Sequence, residues 1–173
     1  MTRVLVTGAS GYIGRRLHAF LTAGGHEVIP FQGDVATDDL VIGGRFDVIV
    51  HLAGAAGPYS AEVDPVRAVQ SHVLGTMRLL QANGRSARVL YASSLFVFPP
   101  GVEACAPNDP TGPETLYGAC KEAAERAVLH DFGVVLRLAN VYGPPARGDV
   151  VSRWISNVLV GESIVVHNPH RIM

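Results

Sequence analysis

Five short apolar runs punctuate the chain: Arg3-Val4-Leu5-Val6-Thr7, Val28-Ile29-Pro30-Phe31, Asp47-Val48-Ile49-Val50-His51-Leu52, Arg88-Val89-Leu90-Tyr91-Ala92 and Val134-Val135-Leu136-Arg137-Leu138. Each is continuous rather than alternating, the pattern of strands covered on both faces. Between them lie stretches with helical spacing. Residues 12–24 predict a helix stopped by Gly24-Gly25. Residues 63–82 carry Val66, Val69, Val73, Leu74, Met77 and Leu80 at helical intervals, with Glu62 and Asp64 placed to cap. Residues 115–131 predict a third helix. Strands alternating with helices mean βαβ units, hence an α/β fold with a parallel sheet. Pro30 marks the second strand as an edge. Residues 99–115 hold five of the eleven prolines and predict a long loop, the kind that usually serves a function.

A chain of 173 residues is one domain by default and can bury a proper core. Its net charge of −1 excludes an electrostatic footprint for nucleic acid or an anionic membrane. No apolar run reaches the ~18 residues of a membrane span. The first apolar stretch is too short for a leader and is broken by Gly8 and Gly11. Cys105 and Cys120 have no metal-site spacing and read as reduced thiols of a cytoplasmic protein. No metal is expected: His18, His26, His130, His167 and His170 show no ligand set, and His51 reads as packing. Trp154 and Ile155 read as core or interface residues.

The first strand runs into Thr7-Gly8-Ala9-Ser10-Gly11-Tyr12-Ile13-Gly14, and a helix follows. Strand, glycine turn and helix in that order can seat a pyrophosphate on unpaired amides at the positive end of the helix dipole. Ser10 can add a hydroxyl. The alternative is an ordinary tight turn that packs helix on strand. A dinucleotide site often places an acid about 20 residues on, at the ribose. Asp34 stands there, or Asp34-Val35 lies in the following loop and faces the adenine. Arg15 and Arg16 could meet a 2′-phosphate. NAD and NADP both remain open.

Tyr117 and Lys121 are four residues apart and share a helix face. An ammonium beside the phenol is expected to lower its pKa, as a proton shuttle needs. Ser93 and Ser94 end the fourth strand, where open parallel sheets bind ligands, or they cap a turn. Leu52-Ala53-Gly54 ends the third strand with small residues that would let a cofactor lie against the backbone.

These segments, with Ser93-Ser94-Leu95-Phe96-Val97-Phe98 and Leu136-Arg137-Leu138-Ala139-Asn140-Val141-Tyr142-Gly143-Pro144, resemble the extended short-chain dehydrogenase/reductase family, also called the NAD-dependent epimerase/dehydratase family. The resemblance implies a Rossmann-type doubly wound parallel sheet with helices on both faces, a bound NAD(H) or NADP(H), and a nucleotide-sugar substrate. Carried over by position, Tyr117 is the general acid/base, Lys121 its partner and ribose ligand, and Ser94 the ligand of the substrate oxygen. Asn140 would touch the substrate's phosphate side. Gly8, Gly11 and Gly14 form the phosphate turn, with Tyr12 and Ile13 supplying amides. It also implies a homodimer through the helices of residues 63–82 and 115–131. Residues 1–148 would be the cofactor domain and 149–173 the start of a small substrate domain. Gly161–Val166 looks like its opening. The family continues well past Met173, so either this sequence is incomplete or most of the substrate half is lacking.

Four departures refine the expectation. The segment between the second and third strands is short, as in relatives that reduce 4-keto-deoxysugars. Leu95 and Phe96 stand where family dehydratases carry an acid, which argues against water elimination. His72 replaces a usual Asn and either keeps a polar contact or packs. The substrate half is truncated. The expected activity is NAD(P)-dependent reduction of the 4-keto group of a nucleotide-linked deoxysugar. The alternatives are a 4-epimerase with tightly bound NAD and a non-catalytic NAD(P)-binding regulator.

Overall fold

The computed structural model describes residues 1–55, 57–101, 105–143 and 149–164. The five apolar runs form five strands: β1 (Arg3–Thr7), β2 (Glu27–Pro30), β3 (Val48–His51), β4 (Arg88–Ser94) and β5 (Val134–Leu138). They make one sheet in the order β2-β1-β3-β4-β5, every pairing parallel. Pro30 ends β2 on the sheet edge, as its missing amide requires.

Helices cover both faces. Alternate residues of each strand feed two cores. Val4, Val6 and Val50 meet Leu17 and Leu21 of α1 (Tyr12–Ala23) on one face. Leu5, Ile49, Val89 and Tyr91 meet Leu79, Ala124 and Val128 on the other. That second face carries α2 (Gly57–Val63), α3 (Pro65–Val69), α4 (Gly75–Asn83) and α5 (Leu116–His130). A last helix, α6 (Val150–Leu159), follows β5 and buries none of its residues, so Ile155 at 56% exposure is not part of the core. No helix among the described residues is long and apolar enough to cross a membrane. Between β2 and β3 the chain runs as turns and loop, in keeping with the short segment there.

The predicted helix over 63–82 differs from expectation in three ways. A separate helix, α2, precedes it. Asp64 caps α3, accepting from the Arg67 amide at 2.9 Å, with Pro65 in the first turn. Residues Gln70–Leu74 are wound as a π-helical turn between α3 and α4. The buried face is also not the apolar one. Ala68, Ser71, His72, Gly75, Thr76, Leu79 and Asn83 face inward, while Val66, Val69, Leu74 and Met77 are exposed. The periodicity was legible but the side was not, because close packing there demands small residues: a Cβ on Gly75 would lie 2.9 Å from Val35.

Candidate coenzyme and substrate site

β1 and β3 end side by side, Thr7 in register with His51. The chain leaves β1 for β2 on one side and reaches β3 on the other. This is the point where an open parallel sheet leaves a crevice beyond its carboxyl ends. The glycine turn lies there, and its three glycines do different things. Gly8 has φ +66, and a Cβ on it would lie 2.8 Å from the Ala53 nitrogen. A Cβ on Gly14 would lie 2.2 Å from the Gly8 carbonyl oxygen. Packing alone therefore requires these two. Gly11 is exposed, has an ordinary φ of −72 and caps α1 without a side-chain acceptor for the first-turn amides. Those amides open beside Ser10, the kind of place that can receive an anion.

A cleft of about 370 Å³ runs from this turn to the end of β2, lined by Ser10, Arg15, His18, Phe31 and Gln32 among others. No acid is in its wall among the described residues. Asp34 sits in the loop past β2, its carboxylate accepting from the Ala36 amide at 2.8 Å and paired with Arg67. The Ala36 amide, then Arg67, hold that carboxyl below its usual value. Val35 is buried beneath α4, and its carbonyl accepts from Arg78 at 3.2 Å. Arg16 stacks its guanidinium 4.0 Å above the Tyr12 ring, so Arg15 alone of the two lines the cleft. His18, set aside on the sequence, lines it too; its spacing of three from Arg15 was the available signal.

The exit of β3 is tied to β1. The Leu52 amide donates to the Thr7 carbonyl at 3.3 Å and the Ala53 amide to Thr7 Oγ1 at 3.2 Å. His51 is fully buried, 2.7 Å from Thr7 Oγ1 through Nδ1 and 3.0 Å from Thr76 Oγ1 through Nε2. Thr76 in turn donates to the His72 carbonyl at 2.6 Å. Every donor in this chain is satisfied when His51 carries its proton on Nε2. Burial pushes its pKa down to about 3, so it holds strands together rather than titrating. His72 both packs and bonds. Its Nε2 donates to the Ala55 carbonyl at 2.8 Å, its ring fills the space left by Gly54, and its edge meets Tyr117 at 5.3 Å between centroids. Contacts thus run from Gly8 through Ala53, Gly54 and His72 to Tyr117.

Tyr117 opens α5, whose cap is Thr115, accepting from the Gly118 amide at 3.0 Å. Gly118 allows this close seat: a Cβ there would lie 2.2 Å from the Phe96 carbonyl oxygen. Ser94 meets the turn-cap reading given to it. It caps the turn after β4, accepting from the Phe96 amide at 3.3 Å, and it acts on the Tyr117 phenol against the rise in its pKa. The expected lowering of the phenol's pKa is not found. Burial raises it, and only Ser94 opposes that rise. Lys121 explains the difference: its ammonium is turned to the Ala92 carbonyl at 2.9 Å and stands 5.8 Å from the Tyr117 ring centroid. Lys121 is 6% exposed, and burial pushes its pKa down to about 8 against the pull of Glu125. Glu125 is itself buried in a two-nitrogen pair with Arg137, at 2.8 and 3.0 Å. Neither partner of this pair was singled out on the sequence, since twelve positions separate them.

Beyond β4 and β5 lies a second cavity, of about 440 Å³. Ser94 and Asn140 both line it, as do Phe96, Phe98, Pro99 and Glu114. Tyr12 links the two halves of the site, its hydroxyl donating to the Gly143 carbonyl at 2.7 Å. Pro144, Val165, Val166, His167 and His170 lie outside the described residues.

Comparison with known proteins agrees with this arrangement. Residues 4–171 match the family described as the NAD dependent epimerase/dehydratase family. The chain is 37% identical over 153 residues to a dTDP-4-dehydrorhamnose reductase of Streptomyces griseus, covering 82% of this chain and 50% of that protein. It is 30% identical to UDP-glucuronic acid decarboxylase 1 of Xenopus tropicalis, over 95% of this chain and 48% of that one. Among solved structures it is similar to that of RMD from Pseudomonas aeruginosa complexed with NADPH, with TM-score 0.80, 31% identity and coverage of 94% of this chain and 63% of that one. The chain spans about half the length of the curated relatives it matches. A parallel sheet with a glycine turn at its crevice, Tyr117 and Lys121 on one helix, and a match over nearly its whole length make this chain a member of the NAD-dependent epimerase/dehydratase family of extended short-chain dehydrogenases/reductases.

Proposed function

We propose that the chain reduces the 4-keto group of a nucleotide-linked deoxysugar, with a reduced nicotinamide dinucleotide as co-substrate. One observation carries the reading: Ser94, which lines the cavity, acts on the hydroxyl of Tyr117, whose phenol is held protonated by burial with a lysine ammonium behind it. A protonated phenol is the acid that reduction needs. The residues fit a dinucleotide. The open amides at Gly11 offer a seat for the diphosphate, the acid-free cleft beyond takes the adenosine half, and Leu52–Gly54 continues toward Tyr117. When bound, the reduced nicotinamide supplies a hydride to the carbonyl carbon. Tyr117 gives its Oη proton to the oxygen as that oxygen becomes an alkoxide. Ser94 holds the same oxygen through Oγ. Lys121 steadies the charge left on the phenolate. Leu95 and Phe96, partly exposed after Ser94, supply no acid for water elimination, which favours reduction over dehydration.

The similarity to a dTDP-4-dehydrorhamnose reductase of Streptomyces griseus is in keeping with this reading. Arg15 in the cleft, with Asp34 engaged by Arg67, favours the coenzyme that carries a 2′-phosphate. The exposed apolar side chains of Val66, Val69, Leu74 and Met77 favour a homodimer through this helical face. Residues 1–148 form the coenzyme domain and 149–173 open the substrate domain. Two unpaired cysteines suit a cytoplasmic setting.

The test is coenzyme absorbance with a dTDP-linked 4-keto-6-deoxyhexose and NADPH or NADH. Stoichiometric oxidation is expected, and Tyr117→Phe lowers kcat by about 10²–10⁴ while leaving coenzyme affinity unchanged. Retained NAD without net oxidation would assign a 4-epimerase instead. Coenzyme binding without turnover of any sugar nucleotide would assign a regulator.

A further inference from the structure

The position after Ser94 carries no acid, yet the cavity has one. Glu114 enters its wall from the opposite side, on the loop leading into α5. The rest of the wall is apolar or neutral, with Phe96, Phe98 and Pro99 facing Ser94 and Asn140 around the same space. Glu114 is the one charged residue lining it among the described residues. Its carboxylate has no ion pair or hydrogen bond to any described residue. The backbone that presents it is nevertheless held. The Gly112 amide donates to the Val97 carbonyl at 2.9 Å. Pro113 packs so closely on Gly118 that a Cβ there would lie 2.8 Å from it. Thr115 caps α5. An exposed carboxylate without a described partner thus stands on a fixed segment, three residues before Tyr117, in the wall of a largely apolar cavity with few polar groups, the usual design of a selective ligand site.

We propose that Glu114 determines which sugar the cavity accepts: it takes a hydrogen bond from a sugar hydroxyl and repels a sugar carboxylate, so the site favours a neutral nucleotide-linked hexose over a uronic acid. This rests on the sugar-nucleotide reading above. A hydroxyl donating to a carboxylate makes a charge-assisted bond, among the stronger ones. A second carboxylate brought into the same apolar space meets a like charge with no cation among the described lining residues to offset it, and like charges at short range are disfavoured. Discrimination through an unpaired charge acts against the wrong ligand as well as for the right one. The distinction separates classes among the relatives, which include a reductase of a deoxysugar and a decarboxylase of UDP-glucuronic acid.

UDP-glucose and UDP-glucuronic acid form the probe pair, since they differ only at C6. Each is titrated calorimetrically into the whole chain saturated with NADPH. The expected result is at least about tenfold tighter binding of UDP-glucose, which Glu114→Gln narrows to within about threefold, chiefly by gaining affinity for UDP-glucuronic acid. Glu114 is exposed and touches no described partner, so an unchanged melting temperature is expected for the variant. Equal or tighter binding of UDP-glucuronic acid to the unaltered chain would overturn the proposal. So would a preference that survives Glu114→Gln with both ligands still bound; either result leaves the sugar-nucleotide reading standing. Binding of NADPH without either sugar nucleotide would overturn that reading and this proposal with it.

Discussion

Gly11 and Gly14 are three residues apart in one motif, and replacing each with alanine is expected to do opposite things. At Gly14 the added Cβ would lie 2.2 Å from the Gly8 carbonyl oxygen and 2.7 Å from the Ala9 Cα. Both obstacles are backbone, so no rotamer change relieves them, and relief needs a shift of about 1 Å between α1 and the turn. Overpacking of this kind costs about 1–3 kcal/mol, and the upper end applies where backbone must move. Alanine returns about 1 kcal/mol of helix propensity. The net is a loss of about 2 kcal/mol, or roughly 4–8 °C in Tm for a chain of this size. At Gly11 the φ of −72 suits alanine, and within 4 Å a Cβ would meet only the Gly8 carbonyl oxygen, at 3.1 Å. The stability cost is then that of a weaker helix cap, about 0.5–1 kcal/mol. The methyl would instead stand over the amides proposed to receive a diphosphate. Gly11→Ala is expected to weaken NADPH binding by more than about tenfold. Thermal melts by circular dichroism and NADPH titration by fluorescence check both arms. Undiminished NADPH affinity in Gly11→Ala would refute the placement of the diphosphate. A Gly14→Ala chain that melts with the parent would refute the packing account.

Two further outcomes follow from the charged groups. Burial holds the Lys121 pKa at about 8, so the ammonium that steadies the phenolate is present below that pH and lost as pH rises through it. The value of kcat/KM for ketone reduction is therefore expected to fall on the alkaline side with an apparent pKa near 8, and a profile flat through that value would count against the role given to Lys121. The stability sign is the reverse. An unfolded lysine titrates near ~10.4, so between about 8 and that value the unfolded chain binds more protons, and the burial penalty is relieved as pH rises. In the adenosine cleft, Arg15→Ala is expected to weaken NADPH by about tenfold or more and to leave NADH nearly unaffected. Equal losses for both coenzymes would mean that Arg15 serves the diphosphate or the fold instead.

Much of this was legible because it is local or periodic. Continuous apolar runs marked all five strands. The i, i+4 spacing put Tyr117 and Lys121 on one face, and Gly24 stopped α1 where expected. What stayed hidden depends on partners distant in sequence. The pairing of Asp34 with Arg67, thirty-three residues on, showed in no local pattern. Glu114 joined Ser94 in one cavity only when the loop between them folded back. The phenol's pKa turned on burial and on the direction of the Lys121 side chain, neither of which spacing encodes. The apolar stripe of residues 66–77 was real, but the close approach of Val35, in the loop past β2, set small residues on the inner side and turned it outward.

The π turn at Gln70–Leu74 has a consequence for tolerance to insertions and deletions. It accommodates one residue more than an α-helix would over the same rise. Removing the surplus residue would restore even winding and leave the flanking turns close to where they are, whereas removing one from the regular winding of α4 would rotate everything upstream by about 100°. Arg67 would then swing away from Asp34, and the imidazole lodged against Gly54 would lose its berth. The surplus residue is thus the slack in a keyed joint. It lets one continuous rod brace the loop beyond β2 at one end and the wall behind the reactive phenol at the other.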